Sequence, residues 1–536
     1  MVNYYDAVVV GAGFSGLYML HKLREAGYRV KVYEAGSDVG GTWYWSRYPG
    51  ARCDSESIYY NYTFSEEIYN EWTWSERFAS QSEILEYLNF VADRLDLRKD
   101  IQFDTRVISS HYQDKDEQWL VTTDDGEQVK AKYFITGVGC LSTANIPKFK
   151  GLEKFKGEWY HTGRWPHEGV DFKGKTVGVI GTGSSGIQSI PVIAEEAEKL
   201  YVFQRTPQYS IPARNHPYSK EFIQQTKANF HEIRKKMHQT STGLATEPRN
   251  RSALSDPPEK RKQAFEKAWE EGGLNLFYTY NDFTVNEKAN ATISAFIREK
   301  IAAIVKDPEV RDKLMPTYYF GTKRPVLDTN YFETFNKEHV ELVNVKEDPI
   351  QEITEKGVRT KSGAEYPLDI LVFATGYDAM TGTLLKMDIR GRDGLSLREK
   401  WADGAETKTY LGLAVNGFPN MFMITGPESP SVLSNVPTSI EQHVEWIFEC
   451  IEYMKEKGYE IVEATEEAET SWSTHCREVA ESTLFVKTDS WYTGANIEGK
   501  PRRFPIYLGG VGTYGEKIKE VANKNYEGFK LQVVHM

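Results

Sequence analysis

Two glycine-rich turns carry the first recognisable chemistry in this sequence. Gly11, Gly13 and Gly16 follow the apolar run Ala7-Val8-Val9-Val10, and Gly181, Gly183 and Gly186 follow Val177-Gly178-Val179-Ile180. Glycines at this GxGxxG spacing let the backbone approach a pyrophosphate, while the next helix aims N–H groups and its positive dipole end at the negative charge. Each turn therefore reads as a dinucleotide site. The residues that end the next strand set the two apart. Glu34, after Val30 and Val32, is placed to accept hydrogen bonds from a ribose. Arg205, after Leu200 to Phe203, would pair with a 2′-phosphate and so favours NADPH over NADH. One flavin site and one nicotinamide site imply hydride transfer between them, with the flavin resident.

Each turn needs a strand before it and a helix behind it, and the patterning supplies both. Leu17 to Ala26 and Ile187 to Lys199 are helix-compatible. Trp119 to Thr123 and Val129 to Thr136 read as strands around Asp124-Asp125-Gly126, and Gly137 and Gly139 then permit close backbone approach. Pro147 and Gly151 mark a crossing between domains. From about 216 to 316 the texture is helical. Ile293, Phe296, Ile297, Ile301 and Ile304 share one face there, and Pro308 is predicted to stop the helix. Strand character returns at Val340 to Val345 and at Ile370 to Phe373, the latter followed by Ala374-Thr375-Gly376. No new fingerprint follows Tyr377, so the remaining chain is expected to complete an earlier domain. The predicted fold class is α/β, with two Rossmann-like dinucleotide-binding domains and a helical insertion in the NADPH domain. The flavin domain is expected at 1–140 and 377–536, the NADPH domain at 141–214 and 318–376, and the insertion at 215–317.

At 536 residues the chain exceeds the usual size of one hydrophobic core. A net charge of −12 argues against nucleic acid and anionic membrane as partners, and an aromatic share of 13% suits aromatic-lined pockets for small molecules. Cys53, Cys140, Cys450 and Cys476 form no CxxC pair, which fits a reducing compartment and weakens a disulfide-reductase reading. The N-terminus runs into an apolar strand without a signal-like region, and no apolar run approaches the ~20 residues of a membrane span. A soluble cytoplasmic protein is expected, with no metal site. A monomer fits and the oligomeric state is left open.

Between the turns, Phe155, Gly157, His161, Trp165 and Pro166 match the FxGxxxHxxxWP signature of type I Baeyer-Villiger monooxygenases. The likeness runs on through Gly40-Gly41-Thr42-Trp43, Tyr48-Pro49-Gly50-Ala51-Arg52-Cys53-Asp54, Gly321-Thr322-Lys323-Arg324 and Trp491-Tyr492-Thr493-Gly494. The chain resembles the phenylacetone and cyclohexanone monooxygenase branch. That resemblance implies FAD, NADPH and O₂ acting on a ketone through a C4a-peroxyflavin to give an ester or lactone. Negative charge developing at the flavin calls for a cation, and Arg324 matches the family's catalytic arginine, with Asp54 its carboxylate partner. Lys323 resembles the residue that supports Arg205 and Thr206 at the 2′-phosphate, and Trp491 one that contacts NADP⁺. Thr42, Trp43, Trp45, Asp54, Tyr60, Val107 and Val436 join the expected cofactor contacts. So do Thr182, Ser184, Ser185, Gln188 and Arg324. His161 is expected to couple cofactor position to domain geometry rather than act as acid or base. Cys140, Leu141, Ser431, Val432 and Leu433 fall at family positions near the ketone, and Glu428 adds a charge to their loop that some relatives lack. Sulfide or amine oxygenation, and release of H₂O₂ by an NADPH oxidase, remain the alternatives.

Overall fold

The computed structural model describes residues 1–533. The strand Asn3–Val10 lies between Val30–Tyr33 and Gln128–Thr136 in an eight-stranded sheet, parallel to both, with Ala7 facing Val30 and Tyr133. Its inner half is fully buried, as expected of a β-branched run covered on both faces. The helix Phe14–Glu25 follows at once. The antiparallel strands Val107–Gln113 and Gln118–Thr123 extend the same sheet.

A second sheet of five parallel strands has the order Val340–Asn344, Lys199–Gln204, Thr176–Ile180, Ile370–Phe373, Glu158–His161. The helix Ser184–Glu196 packs against it and carries Pro191 in its interior, a position the hydrophobic periodicity does not reveal. Between these strands run Lys220–Ala228, Phe230–Gln239, Pro258–Glu271 and Glu287–Ile304, all helical. The face carrying Ile293, Phe296, Ile297 and Ile301 is buried.

Contrary to the sequence expectation, Pro308 does not stop the long helix, which ends at Ile304; it opens the next one, Pro308–Lys313, with Asp307 accepting from the Glu309 and Val310 amides. Proline is well placed at a first helical position, because the amide it lacks would have had no intrahelical partner. The chain after Tyr377 returns to the first unit. Met421–Met423 adds a strand beside Gln128–Thr136, and the helix Val436–Lys457 packs on Phe14–Glu25. This is a mixed α/β fold with two Rossmann-type sheets, the first mixed and the second parallel.

Candidate active site

The glycines of each turn serve different physical ends. A β-carbon on Gly16 would stand 1.6 Å from the Gly11 carbonyl oxygen, and one on Gly186 would stand 2.3 Å from that of Gly181. These two positions exist for helix-to-strand packing. Gly183 differs, because a β-carbon there would meet nothing within 4 Å. It is the N-cap of Ser184–Glu196, so the open space lies at a helix N-terminus with unsatisfied amides. A pyrophosphate fits that cradle.

Glu34 is buried, and its carboxylate accepts from the Ala12 amide (2.9 Å) and the Gly36 amide (2.6 Å). It therefore ties the end of its strand to the glycine turn. Burial pushes its pKa up, against the pull of those amides. At the second turn, Thr182 Oγ1 donates to the Thr206 carbonyl (3.0 Å) and Thr162 Oγ1 to Ser185 Oγ (3.1 Å), so the segments holding Arg205 and His161 meet the turn. Lys323 lies near Arg205. Burial, and then the Arg205 charge, lower its ammonium to about 8, with Asp489 opposing. Two cations kept this close to each other fit a bound phosphate.

That proximity has a measurable consequence. Lys323 should lose its proton as pH rises through about 8 in the free protein, whereas a bound 2′-phosphate favours the charged form. The KM for NADPH is therefore expected to climb above pH 8, by at most about tenfold per unit, while that for NADH stays flat. Parallel profiles for the two cofactors would remove Lys323 from this role.

His161 ends the strand Glu158–His161, buried, with Nδ1 accepting from the Gly163 amide (2.9 Å). Nε2 then carries the proton, in a ring that neighbours the Asn145 and Gly376 backbone. Burial lowers its pKa to about 4, so the ring is neutral near pH 7. Gln188 Nε2 donates to the Arg52 carbonyl (3.1 Å), and Tyr48 donates to Gln188 Oε1, which joins the second nucleotide helix to the segment that carries Asp54.

Arg324 and Asp54 meet although 270 residues separate them. Nε and Nη2 donate to the two carboxylate oxygens at 2.6 and 2.9 Å, and Nη1 donates to the Val432 carbonyl at 2.6 Å. The side chains keep 28% and 26% of their surface open. Burial alone would raise the Asp54 pKa, but the Arg324 charge and hydrogen bonds outweigh it and hold the carboxylate below its ordinary value. Burial likewise opposes the guanidinium charge, and Asp54 overcomes it.

Val432 belongs to an apolar cluster with Ala379, Met380, Tyr492 and Ile506, against which Cys140, Leu141, Leu433 and Trp491 pack. Ser431 joins through Cys140, their Oγ and Sγ 2.8 Å apart. The residues expected at the ketone thus gather beside the guanidinium. Sequence reasoning misses Tyr492, whose buried hydroxyl lies close to the Arg324 guanidinium; its place directly after Trp491 is the available signal. Elsewhere Trp43 Nε1 donates to Tyr60 Oη (3.1 Å), and the Arg164 guanidinium lies over the Trp45 ring. Val107 begins a strand with its side chain in the core of the first unit, and Val436 begins the long helix. Glu428 turns away from the pocket into the protein interior.

Two Rossmann-type units with a fixed cation at an apolar pocket define a two-dinucleotide oxidoreductase scaffold. Residues 6–244 match the flavin-binding monooxygenase-like family. A Baeyer-Villiger monooxygenase of Pseudooceanicola batsensis is 47% identical over 97% of this chain and 95% of its own length. A phenazine N-monooxygenase of Lysobacter antibioticus is 44% identical over 99% and 97%. The structure of cyclohexanone monooxygenase from Rhodococcus sp. Phi1 bound to NADP⁺ superposes with a TM-score of 0.97 at 43% identity, covering both chains completely. The chain belongs to the Baeyer-Villiger monooxygenase family of flavoproteins. Among the described residues no helix is long and apolar enough to cross a membrane, and no cluster of side chains is suited to a metal ion.

Proposed function

We propose that this protein is an FAD-containing, NADPH- and O₂-dependent monooxygenase that converts ketones to esters or lactones. The observation that carries the reading is Arg324, held by both Asp54 oxygens and the Val432 carbonyl at the edge of the apolar cluster. Bound flavin supplies hydride acceptance from NADPH and activation of O₂.

The protein's own groups do the rest. Addition to a ketone places negative charge on its carbonyl oxygen, and a guanidinium fixed beforehand stabilises that charge without reorganising. Asp54 holds the planar fork in one orientation, and the apolar side chains of the cluster exclude water. Arg205, Thr206 and Lys323 would hold the 2′-phosphate, the Gly183 cradle the pyrophosphate, and His161 would link that site to the domain junction as a neutral group. The first unit, 1–140 with 377–536, serves the flavin, and 141–214 with 318–376 serves NADPH around the insertion at 215–317. The free thiols fit a reducing cytoplasm.

The test supplies the holoenzyme with NADPH, ¹⁸O₂ and a panel of cyclic, aromatic and linear ketones. One labelled oxygen in the ester for each NADPH consumed is the expected result. NADPH consumption matched by H₂O₂, indifferent to every ketone, would replace the reading with an oxidase. Oxygenation at aromatic nitrogen is the second reading, favoured by the phenazine N-monooxygenase relative, and a phenazine belongs in the same panel.

A further inference from the structure

We propose that Glu428 is a positioning residue, the anchor that sets the loop Ser429 to Leu433 against Arg324 and thereby influences which ketones fit. The word ketone rests on the proposed function, but the anchoring itself does not.

Glu428 is almost fully buried at the root of the loop. Its Oε1 accepts from the Thr409 amide (2.6 Å) and hydroxyl (3.2 Å), and its Oε2 from the Ser473 hydroxyl (2.7 Å). Its amide donates to the Pro505 carbonyl (2.7 Å), and its carbonyl accepts from Trp472 Nε1 (3.1 Å). One residue thus joins the loop to three separate segments: the stretch containing Thr409, the helix Glu466–Glu481 and the strap that ends at Pro505.

The loop needs such a hold. Thr425, Glu428 and Ser431 have φ of +53°, +68° and +28°, a region that side-chain-bearing residues avoid and keep only where their surroundings over-determine it. The residues just after Glu428 touch the reacting centre directly. Ser431 Oγ meets Cys140 Sγ at 2.8 Å, and the Val432 carbonyl accepts from Arg324 at 2.6 Å. A shift at Glu428 therefore moves both the pocket wall and one of the three acceptors that orient the guanidinium.

The carboxylate is built in at a cost that packing alone does not require. Burial raises its pKa to about 7, against the Ser473 and Thr409 hydrogen bonds and the Arg503 charge. The titratable groups facing it are Arg503, which donates to Ser473 Oγ (3.2 Å), and the Cys476 thiol, 3.8 Å from the Glu428 carbonyl. Three donors converge on two oxygens, a pattern a carboxylate satisfies fully. A glutamine would keep the Thr409 bonds through its carbonyl and give Ser473 a donor instead of an acceptor. An alanine would keep none of these side-chain bonds, only the backbone ones to Pro505 and Trp472.

Glu428→Ala and Glu428→Gln are compared with the unaltered holoenzyme by two measurements. The first is alkylation of Cys140 with iodoacetamide, followed peptide by peptide, with Cys450, buried on the helix Val436–Lys457 and away from Glu428, as a control for general opening. Cys140 labelling is expected to rise about tenfold in Glu428→Ala, the effect of losing one charged hydrogen-bond anchor, and to stay near the original rate in Glu428→Gln. The second is the ratio of kcat/KM for a compact ketone to that for a bulky one, which should change about tenfold in the alanine variant, mostly through KM, and recover in the glutamine variant. Unchanged Cys140 labelling in a folded Glu428→Ala protein overturns the anchor. Equal rises at Cys140 and Cys450 overturn it too, because they report general loosening. An unchanged ketone ratio beside raised labelling overturns the influence on substrate choice. If the unaltered enzyme oxygenates no ketone but Cys140 labelling responds as stated, the anchor stands and the functional reading fails.

Discussion

Arg324→Ala is expected to lower ester formation by about 10²–10³-fold, the usual effect of deleting one preorganised donor at a developing negative charge. NADPH should still be consumed, with its electrons ending in H₂O₂ rather than in product, because none of the groups at the phosphate sites is touched. The variant also leaves the Asp54 carboxylate without the cation that offsets its burial. Its pKa should move from below the ordinary carboxylate value to above it, since burial is the largest influence on it and opposes charge. Arg324→Lys separates charge from geometry. An ammonium keeps the cation but cannot bind both Asp54 oxygens in a planar fork while also reaching the Val432 carbonyl, so it should recover only part of the loss. Ester yield and H₂O₂ per NADPH, measured together, check the prediction. A full yield of ester from Arg324→Ala would remove the arginine from the chemistry.

This pair also marks where local sequence stops being informative. Asp54 and Arg324 lie 270 residues apart, and nothing in their own neighbourhoods connects them; only the family likeness does. The nucleotide units are different, because strand, turn and helix occupy about thirty consecutive residues and the physics is local. The run ending at Val10 and the helix from Phe14 are directly legible, as are the strands around Asp124-Asp125-Gly126. Pro308 misleads because a proline beyond an apolar stripe marks the end of one helix and the first residue of another equally well, and the Asp307 cap decides between them. The return of the C-terminal chain to the first sheet is legible only through the lack of a third fingerprint, since Met421–Met423 is too short to show a period. Glu428 is visible in sequence as a charge in the loop, but not as one that points away from the pocket. Its partners Thr409 and Ser473 are distant in sequence and carry no motif.

The GxGxxG turns predict opposite outcomes for alanine at two of their glycines. Gly16→Ala forces a β-carbon to within 1.6 Å of the Gly11 carbonyl oxygen, in a turn where Gly11 itself is at φ +102° and faces the Gly137 carbonyl. Backbone has to move, and overpacking of this kind costs about 1–3 kcal/mol or more, so a fall in melting temperature of about 5 °C or more should accompany loss of bound flavin. Gly183→Ala meets no atom within 4 Å, and its backbone, at φ −81° and ψ −163°, suits any residue. The cofactor-free protein should melt within about 1 °C of the original, as for a neutral surface change. The methyl group would nevertheless stand where a pyrophosphate must approach the helix N-terminus, and the KM for NADPH is expected to rise by about tenfold or more. Gly13 falls between them, its would-be β-carbon 3.2 Å from Gly41 Cα, so both readouts should move modestly. Thermal melts without cofactor, set beside NADPH titrations, separate the cases. If Gly183→Ala binds NADPH as before, the space at that helix N-terminus is not where the pyrophosphate lies, and the assignment of the second turn must change.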